Sequence, residues 1–416
     1  MRETLQSIFS EHFVRYAQTR TLHVRELRAA SAIMNCYTAA LGGRVLSCPT
    51  GHYSVASYNA CRHRSCPKCA ERPRQRWVHT ELQRLLPCEH YHAVFTLPHD
   101  FIALWAFNRE RMNTLLFDCA RQSLLELCAD ERHLGAKPGL LMALHSWGRT
   151  LSQHPHVHCL VSGGGMTAQG QWRRCRQQYL VPVKALAALF RGKLLHQIKH
   201  DIDTQRLRLP PHQDAQHWHA CIKAQYRKHW NVELAPPYAH GRGVALYLAR
   251  YVKGGPLPSD RHLDHDGQRV SLGYTDHRDQ RSKTLRLDAQ EFIARVLWHA
   301  PPARQHMVRH CGLYATAARQ QHRQCAKLLS PTLMPTAPTT LACPALTRAT
   351  ECPQCHLPLR STQSLMPVHR SGEFSMQEAP RASAALGPTQ RWSGQAPASQ
   401  AFALRRRSLR RRSPLN

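Results

Sequence analysis

The segment from His154 to Gly165 constrains the fold of this chain more than any other stretch. His156 and His158 alternate there with apolar residues at positions 157, 159 and 161. Side chains alternate between the two faces of a β-strand, so the pattern predicts a strand with two imidazoles on one face. The apolar residues then point into the opposite layer, which predicts a sheet that is covered on that face.

Two imidazoles on one face of a strand can share a divalent ion, but a catalytic ion needs a further ligand. His145 ends the preceding predicted strand, and an antiparallel hairpin would set it opposite His156 within ~5.5 Å. His154 is the alternative third ligand. The same pattern recurs in His90-Tyr91-His92, and the chain has 29 histidines, so the motif alone is weak evidence.

We also expect the three glycines at 163–165 to let a nucleic-acid backbone approach the strand closely.

A second segment, Val244 to Lys253, predicts a short helix that ends at Gly254-Gly255-Pro256. Tyr247 and Tyr251 are four residues apart and share one face of that helix. They are either core aromatics packed on the sheet or nucleophiles that face the metal ion. A tyrosine with a pKa near ~10 becomes useful when a metal polarises the phosphodiester under attack. The resulting phosphotyrosine ester keeps the bond energy, so rejoining needs no nucleotide cofactor.

Cysteines with short spacings between positions 48 and 69 indicate a metal site rather than disulfides. The run Cys66-Pro67-Lys68-Cys69 places two thiolates on one tight turn, and zinc needs four ligands. Cys48 and His52 can supply the other two, with Cys61 either left over or taking the place of His52. The competing interpretation is a loop of free thiols.

The remaining residues predict an α+β fold with helices at 1–35, 100–129, 183–199 and 289–298. Strands are predicted at 91–97, 140–145, 157–162, 270–274 and 284–287. We expect an N-terminal helical and zinc-binding module at 1–87 and a catalytic domain at 88–328. The composition then changes to a linker at 329–370 and a disordered, arginine-rich tail at 371–416.

Three further cysteines, Cys343, Cys352 and Cys355, lie in the predicted linker. Cys352-Pro353-Gln354-Cys355 is a single knuckle, and one knuckle offers only half of a zinc site. The sequence leaves open whether this patch binds metal.

A strong excess of positive charge favours a polyanionic partner. The chain carries 57 Lys and Arg against 26 Asp and Glu, a formal net charge of +31. Nucleic acid is the first candidate partner, and a membrane surface is the competitor. No apolar run approaches the ~20 residues of a membrane helix, and the N-terminus lacks a signal-peptide pattern. We therefore expect a cytoplasmic protein without a membrane partner.

Five motifs resemble, in order, those of the rolling-circle insertion-sequence transposases. This family is the two-tyrosine branch of the HUH (His–hydrophobic–His) endonuclease superfamily, and the resemblance runs from about residue 30 to 325. The motifs are Ser65–Cys69, His92–Pro98, His145–Gly148, His154–Gly165 and Tyr247–Gly255.

The resemblance implies a central antiparallel sheet flanked by helices and preceded by a zinc-binding module. It makes His156 and His158 the metal pair and Tyr247 and Tyr251 the nucleophiles. The implied partner is single-stranded DNA at element ends and target, cut through a covalent 5′-phosphotyrosine. The implied ions are structural zinc and catalytic Mg²⁺ or Mn²⁺, of which Mn²⁺ suits two imidazoles better. A prokaryotic, nucleoid-associated protein follows from this role.

Two other functions remain open at this point. A zinc-containing DNA-binding regulator without catalysis would fit the charge and the cysteines, but it needs neither the tyrosine pair nor the histidine strand. A plasmid rolling-circle replication initiator would share the chemistry and differ only in its biology.

Overall fold

The computed structural model describes residues 4–238, 255–257, 262–276, 279–329 and 351–368. The α-helices of this part of the chain are α1 (Leu5–Gln18), α2 (Val24–Asn35), α3 (Pro67–Arg84), α4 (Ile102–Phe107), α5 (Arg109–Ala129), α6 (Val183–Asp203), α7 (Ala215–Gln225), α8 (Ala289–Leu297) and α9 (Arg319–Leu329). Its strands are β1 (Gly43–Ser47), β2 (Ser54–Tyr58), β3 (His90–Thr96), β4 (Lys137–Trp147), β5 (Gln153–Met166), β6 (Trp172–Arg174), β7 (Val232–Tyr238), β8 (Asp264–His265), β9 (Arg269–Thr275), β10 (Ser282–Asp288), β11 (Val308–Gly312) and β12 (Arg360–Leu365).

The largest sheet is antiparallel and has the strand order β11-β4-β5-β3-β7, with β6 added beside the end of β5. Its two longest strands, β4 and β5, form a hairpin at the centre. Helices α4 to α7 cover one face of the sheet and contribute to the main apolar core. The predicted α+β architecture, an antiparallel sheet flanked by helices, is confirmed.

Strand β5 separates its two faces as its alternation predicts. Val157, Cys159 and Val161 are fully buried in the main core under the helices. Leu160 belongs to a second apolar cluster on the opposite face, together with Leu313. The face that carries His156 and His158 is therefore the one turned away from α4 to α7.

A separate core joins the N-terminal helices to a later part of the chain, between residues 257 and 300. Its buried residues come from α1 and α2 on one side and from β9, β10 and α8 on the other. Phe9 and Phe13 of α1 are packed there with Phe292 of α8. The N-terminal helices thus share a core with residues that the sequence assigns to the catalytic domain, because their apolar stripes need a partner beyond residue 87.

A small three-stranded sheet has the order β12-β1-β2. Strand β12 comes from the segment that the composition suggests is a linker, and it pairs antiparallel with β1 some 300 residues earlier in the chain. Among the residues that the structure describes, no helix is long and apolar enough to cross a lipid bilayer.

Candidate metal centre

Three histidines converge on the face of the central sheet that is turned away from α4 to α7. The antiparallel register of β4 and β5 pairs His145 with His156, as the predicted hairpin requires. The ring centroids lie 4.2 Å apart for His145 and His158, and 4.7 Å apart for His156 and His158. One ligand nitrogen from each of the three residues lies within 4.8 Å of the others, so all three can reach one ion.

Burial keeps these imidazoles neutral near pH 7. It lowers the pKa of His156 to about 4, and it lowers the pKa of His145 and His158 well below the usual value. Neighbouring histidines act in the same direction, since several positive charges in one small space repel each other. A metal binds only the neutral ring, so the lowered pKa values leave three lone pairs available.

Hydrogen bonds orient two of the rings. His156 Nδ1 lies 2.6 Å from the carbonyl oxygen of His154, and that oxygen only accepts. The proton therefore sits on Nδ1, which leaves Nε2 of His156 as the ligand atom.

A fourth histidine, His92, holds His158 in the same manner. His92 Nε2 lies 2.9 Å from His158 Nδ1, and the two rings are stacked with centroids 5.0 Å apart. Burial lowers the pKa of His92 to about 4, so the pair shares a single hydrogen bond between neutral rings. In the sequence, His92 is only a repeat of the histidine pattern and the first residue of the motif His92–Pro98. Its place beside His158 becomes visible because its strand, β3, pairs directly with β5.

The alternative third ligand, His154, stands outside this group. Its side chain is exposed, and its ring faces that of His156 at a centroid distance of 5.1 Å. His145 is buried and stacks on Trp147 with the ring centroids 5.7 Å apart. The packing thus favours His145 over His154 as the third ligand.

This donor set fits a divalent transition metal. Three neutral imidazoles suit Mn²⁺, Zn²⁺ or Fe²⁺, whereas Mg²⁺ prefers oxygen ligands. Three protein ligands also leave further coordination positions for a substrate, as a catalytic site requires.

The glycines at 163–165 do not make room for a nucleic-acid backbone. A β-carbon on Gly163 would lie 2.8 Å from the carbonyl oxygen of Glu89, and one on Gly165 would lie 2.6 Å from that of Lys137. On Gly164 it would meet the ring of Trp172 at 2.5 Å. The expectation was wrong because neighbouring strands of the protein itself occupy the space that the missing side chains leave.

Tyr247 and Tyr251 lie outside the described residues, as does the helix predicted for Val244–Lys253. The described chain before them ends with Tyr238 at the end of β7, which pairs with His90 of β3. The described chain resumes at Gly255, whose backbone lies against Ser65 of the cysteine-rich segment.

Four cysteines, Cys36, Cys61, Cys66 and Cys69, form one cluster with ligand-binding geometry. Cys36 directly follows α2, and Cys66 caps the N-terminus of α3. The Sγ atom of Cys69 lies 3.4 Å from that of Cys36 and 3.6 Å from that of Cys61. Tetrahedral zinc with bonds of about 2.3 Å separates its sulfur ligands by about 3.8 Å, so four thiolates here fit zinc.

The structure thus divides the five predicted zinc ligands between two places. Cys61, Cys66 and Cys69 form a cluster with Cys36, a residue that sequence reasoning missed because it stands 25 positions before Cys61 and has no paired neighbour. Cys48 and His52 instead lie with Cys352 and Cys355. Cys343 lies outside the described residues. A single site built from Cys48 and His52 with Cys61, Cys66 and Cys69 does not form, because the β1–β2 hairpin places Cys48 and His52 beside the segment that carries β12.

A basic cleft of about 540 Å³ lies between α3 and α9. Arg84, Arg319, Arg323 and His322 line it, together with Tyr314. None of the three clustered histidines lines this cleft. Several guanidinium groups in one concave surface suit a phosphate backbone.

Comparisons with known proteins identify the family. Residues 139–322 match a family model described as "Putative transposase", and residues 8–97 match the "Transposase zinc-binding domain". The chain is 33% identical over 358 residues to "Putative transposase y4qJ" of Sinorhizobium fredii, which covers 82% of this chain and 89% of that protein. It is 29% identical over 306 residues to the transposase for insertion sequence element IS801 of Pseudomonas savastanoi pv. phaseolicola, covering 71% of this chain and 72% of that protein.

A solved structure is also similar, but only loosely. The conjugative relaxase TrwC, in a metal-free complex with oriT DNA, aligns with 14% identity and a TM-score of 0.22. The alignment covers 38% of this chain and 71% of that chain. The sequence relatives carry the assignment by themselves: the chain belongs to the rolling-circle insertion-sequence transposases of the IS91 type.

Proposed function

We propose that this transposase nicks and rejoins single-stranded DNA through a covalent 5′-phosphotyrosine intermediate. The observation that carries the proposal is the set of three neutral, buried or partly buried histidines on the face of the sheet turned away from α4 to α7. A DNA-binding regulator would have no use for such a set, because binding DNA requires cations and hydrogen-bond donors rather than uncharged metal ligands.

The reaction needs one nucleophile and one leaving group. The phenol of Tyr247 or Tyr251 loses its proton, and its oxygen attacks the scissile phosphorus. The bond between phosphorus and the 3′ oxygen breaks, and that oxygen takes up a proton. The products are a 5′-phosphotyrosine and a free 3′-hydroxyl, and the ester retains the energy needed for rejoining. A second tyrosine allows a second strand end to be held before the first ester is resolved.

His145, His156 and His158 would hold the divalent ion, which supplies charge stabilisation at the scissile phosphate when it is bound. The backbone carbonyl oxygen of His154 fixes the tautomer of His156, and His92 fixes the orientation of the His158 ring. Rings that are already oriented lose little freedom when they bind metal, so the site is organised before DNA arrives.

Binding of the DNA itself would rest on positive charge. The net charge of +31 provides a general attraction, and the arginines of the cleft between α3 and α9 provide a defined surface for phosphates. The thiolate cluster Cys36, Cys61, Cys66 and Cys69 would bind a structural zinc ion at the opposite end of α3, where that helix begins.

Covalent attachment to a labelled oligonucleotide tests the proposal. The full chain should form an adduct with single-stranded DNA in the presence of Mn²⁺, and the adduct should survive denaturing electrophoresis. His158→Ala should abolish it, while His196→Ala, which changes an exposed histidine of α6, should leave it unchanged.

Three further variants make the test specific. Tyr247→Phe combined with Tyr251→Phe should remove the adduct and leave DNA binding intact. If the buried His145 is the third ligand, His145→Ala should lower the yield of the adduct at least tenfold more than His154→Ala does. Binding without any adduct in the unmodified chain would favour a regulator, and an adduct in the double phenylalanine variant would place the nucleophile elsewhere.

A further inference from the structure

We propose that Cys48, His52, Cys352 and Cys355 bind a second structural zinc ion that fastens the segment 351–368 to the N-terminal module. One ligand atom of each residue lies within 4.8 Å of the others. The site is separate from the Cys36 cluster, and it draws its two halves from parts of the chain some 300 residues apart.

The first half of the site is the turn of the β1–β2 hairpin. Cys48 directly follows β1, and its amide donates to the carbonyl of Tyr53 at 2.8 Å. The amide of Gly51 donates back to the carbonyl of Cys48 at 3.0 Å, and Gly51 has a φ of +82°. This turn presents Cys48 and His52 on the same side, as a zinc knuckle does.

The second half is a tight turn just before β12. The amide of His356 donates to the carbonyl of Cys352 at 2.9 Å, and the amide of Cys352 donates to the carbonyl of Leu357 at 2.8 Å. The turn closes so tightly that His356 takes a φ of +57°. It brings the thiols of Cys352 and Cys355 together, so two knuckles face each other.

The two halves meet with distances that suit a tetrahedral metal. The Sγ atoms of Cys48 and Cys355 are 3.4 Å apart, longer than a disulfide bond and close to the separation of two thiolates on one zinc ion. The hydroxyl of Thr50 lies 3.0 Å from the sulfur of Cys48 and 3.2 Å from Nδ1 of His52. Thr50 therefore supports ligands of the site from outside it.

Apolar packing cannot account for the attachment of β12. Its side chains from Arg360 to Ser364 are exposed, and Leu365 is only half-buried. In β1 and β2 together, only Leu46 is buried. A three-stranded sheet with so little core is not stable by itself, and a metal ion commonly supplies what such a module lacks. Cys352, by contrast, is fully buried at the place where the ion would bind.

The proposed ion has a consequence for the rest of the chain. Strand β12 covers the free edge of β1, and the amide of Val368 donates to the carbonyl of Ala39 at 3.1 Å. The arginine-rich tail that follows is thereby tethered to the zinc module rather than to the end of α9. Loss of the ion should release the whole segment.

Zinc content and hydrogen exchange test this inference in the full-length protein. The measurements use a His158→Ala background, so that the histidine centre does not add zinc of its own. The parent should contain two zinc ions per chain. Cys352→Ser with Cys355→Ser should contain one, and amides of β12 should lose their protection. Cys221→Ser, which changes an isolated thiol of α7, should still contain two.

The opposite half of the site provides the second arm of the test. Cys48→Ser should lose the same single ion and release β12 to the same extent, although residue 48 lies far away in sequence. Two zinc ions in either variant, protected β12 amides after loss of the ion, or a disulfide between Cys48 and Cys355 in the native protein would each overturn the proposal.

Discussion

His92 is the residue whose position changes the account of the histidine centre most. Its ring does not belong to the three ligands, yet it lies 2.9 Å from His158 and fixes the orientation of that ring. Partners of this kind fix the orientation of a ligand ring and commonly strengthen metal binding. We therefore propose that His92 is a positioning residue; it lies on β3, the strand next to the one that carries His156 and His158.

We expect His92→Ala to lower the affinity for Mn²⁺ by roughly 10- to 100-fold, because the hydrogen bond that orients the His158 ring is then lost. His92→Gln keeps a hydrogen-bonding group and should recover part of this loss. Electron paramagnetic resonance of free Mn²⁺ gives the affinity, with His196→Ala as the matched control. An affinity within twofold of the parent in His92→Ala would mean that His158 needs no partner.

The pH dependence of metal binding follows from burial of the same rings. Ordinary imidazoles, with a pKa near 6.5, would lose about tenfold in affinity per ligand between pH 7 and 5.5. Burial lowers the pKa of His156 to about 4, so we expect nearly constant Mn²⁺ affinity over that range and a loss only below it. A fall of 100-fold by pH 5.5, measured by the same resonance method, would contradict the buried, neutral centre.

The linked effect on stability has the same cause. The unfolded chain takes up protons at these histidines near pH 6.5, whereas the folded chain resists until about pH 4. The stability of the protein that depends on neutral His92 and His156 is therefore complete above pH 6.5. The free energy of unfolding should fall as the pH is lowered from about 6.5 to about 4.

At the scale of elements, the ends of helices hold the first thiolate cluster together. Cys36 follows α2, Cys66 caps α3, and Cys69 lies in the first turn of α3. A zinc ion there would join two helices whose connection otherwise consists of the β1–β2 hairpin and irregular chain. Cys36 had no local spacing signal, so only the fold reveals it as a ligand.

Cys36→Ser should therefore remove one zinc ion per chain, as fully as Cys66→Ser does. Both variants should lower the midpoint of thermal unfolding and raise the exchange of amides in the first turns of α3, because binding energy at such a site is folding energy. Cys221→Ser serves as the control for loss of a thiol alone. If the Cys36→Ser protein kept its full zinc content, the fourth zinc ligand would have to be a residue other than Cys36.

The sequence predicts those elements that depend on interactions between neighbouring residues, and it misses those that depend on contacts between distant segments. The alternation in β5 and the hairpin with β4 follow from neighbouring residues, and both form as expected. The pairing of β12 with β1 depends on a contact between segments that are distant in sequence. The composition of residues 360–365 therefore predicts a linker, whereas the structure shows a strand there. The predicted helix at 1–35 is interrupted between Gln18 and Val24.

At the scale of the whole molecule, one apolar core extends across the boundary that the sequence predicts at residue 87. The sequence assigns residues 1–87 to an N-terminal module and 88–328 to a catalytic domain, and α1 and α2 of the first pack against α8 of the second in one apolar core. Such sharing is invisible to composition, because an amphipathic helix shows that it needs a partner but not which partner. Loss of the N-terminal module should therefore affect the catalytic region as well.

The positive charge predicts a steep dependence of DNA affinity on salt. If about six phosphates are contacted, the logarithm of the affinity should fall with that of salt with a slope of about −4 to −5. Removal of residues 371–416, which contain the arginines at 405–407 and 410–412, should weaken binding equally for all sequences. Fluorescence anisotropy at several salt concentrations measures both. A slope near zero, or a loss confined to one sequence, would contradict this prediction.

The central claim is that a tyrosine of this chain becomes covalently joined to the 5′ end of cut DNA. Trypsin separates the two candidates, since Gly243–Arg250 contains only Tyr247 and Tyr251–Lys253 contains only Tyr251. After reaction with single-stranded DNA and nuclease trimming, mass spectrometry of the tryptic peptides should find a nucleotide 5′-phosphate on one or both of these peptides. The His158→Ala protein should show neither. Adducts on other peptides alone, or unmodified tyrosines in a protein that still cuts DNA, would contradict the account.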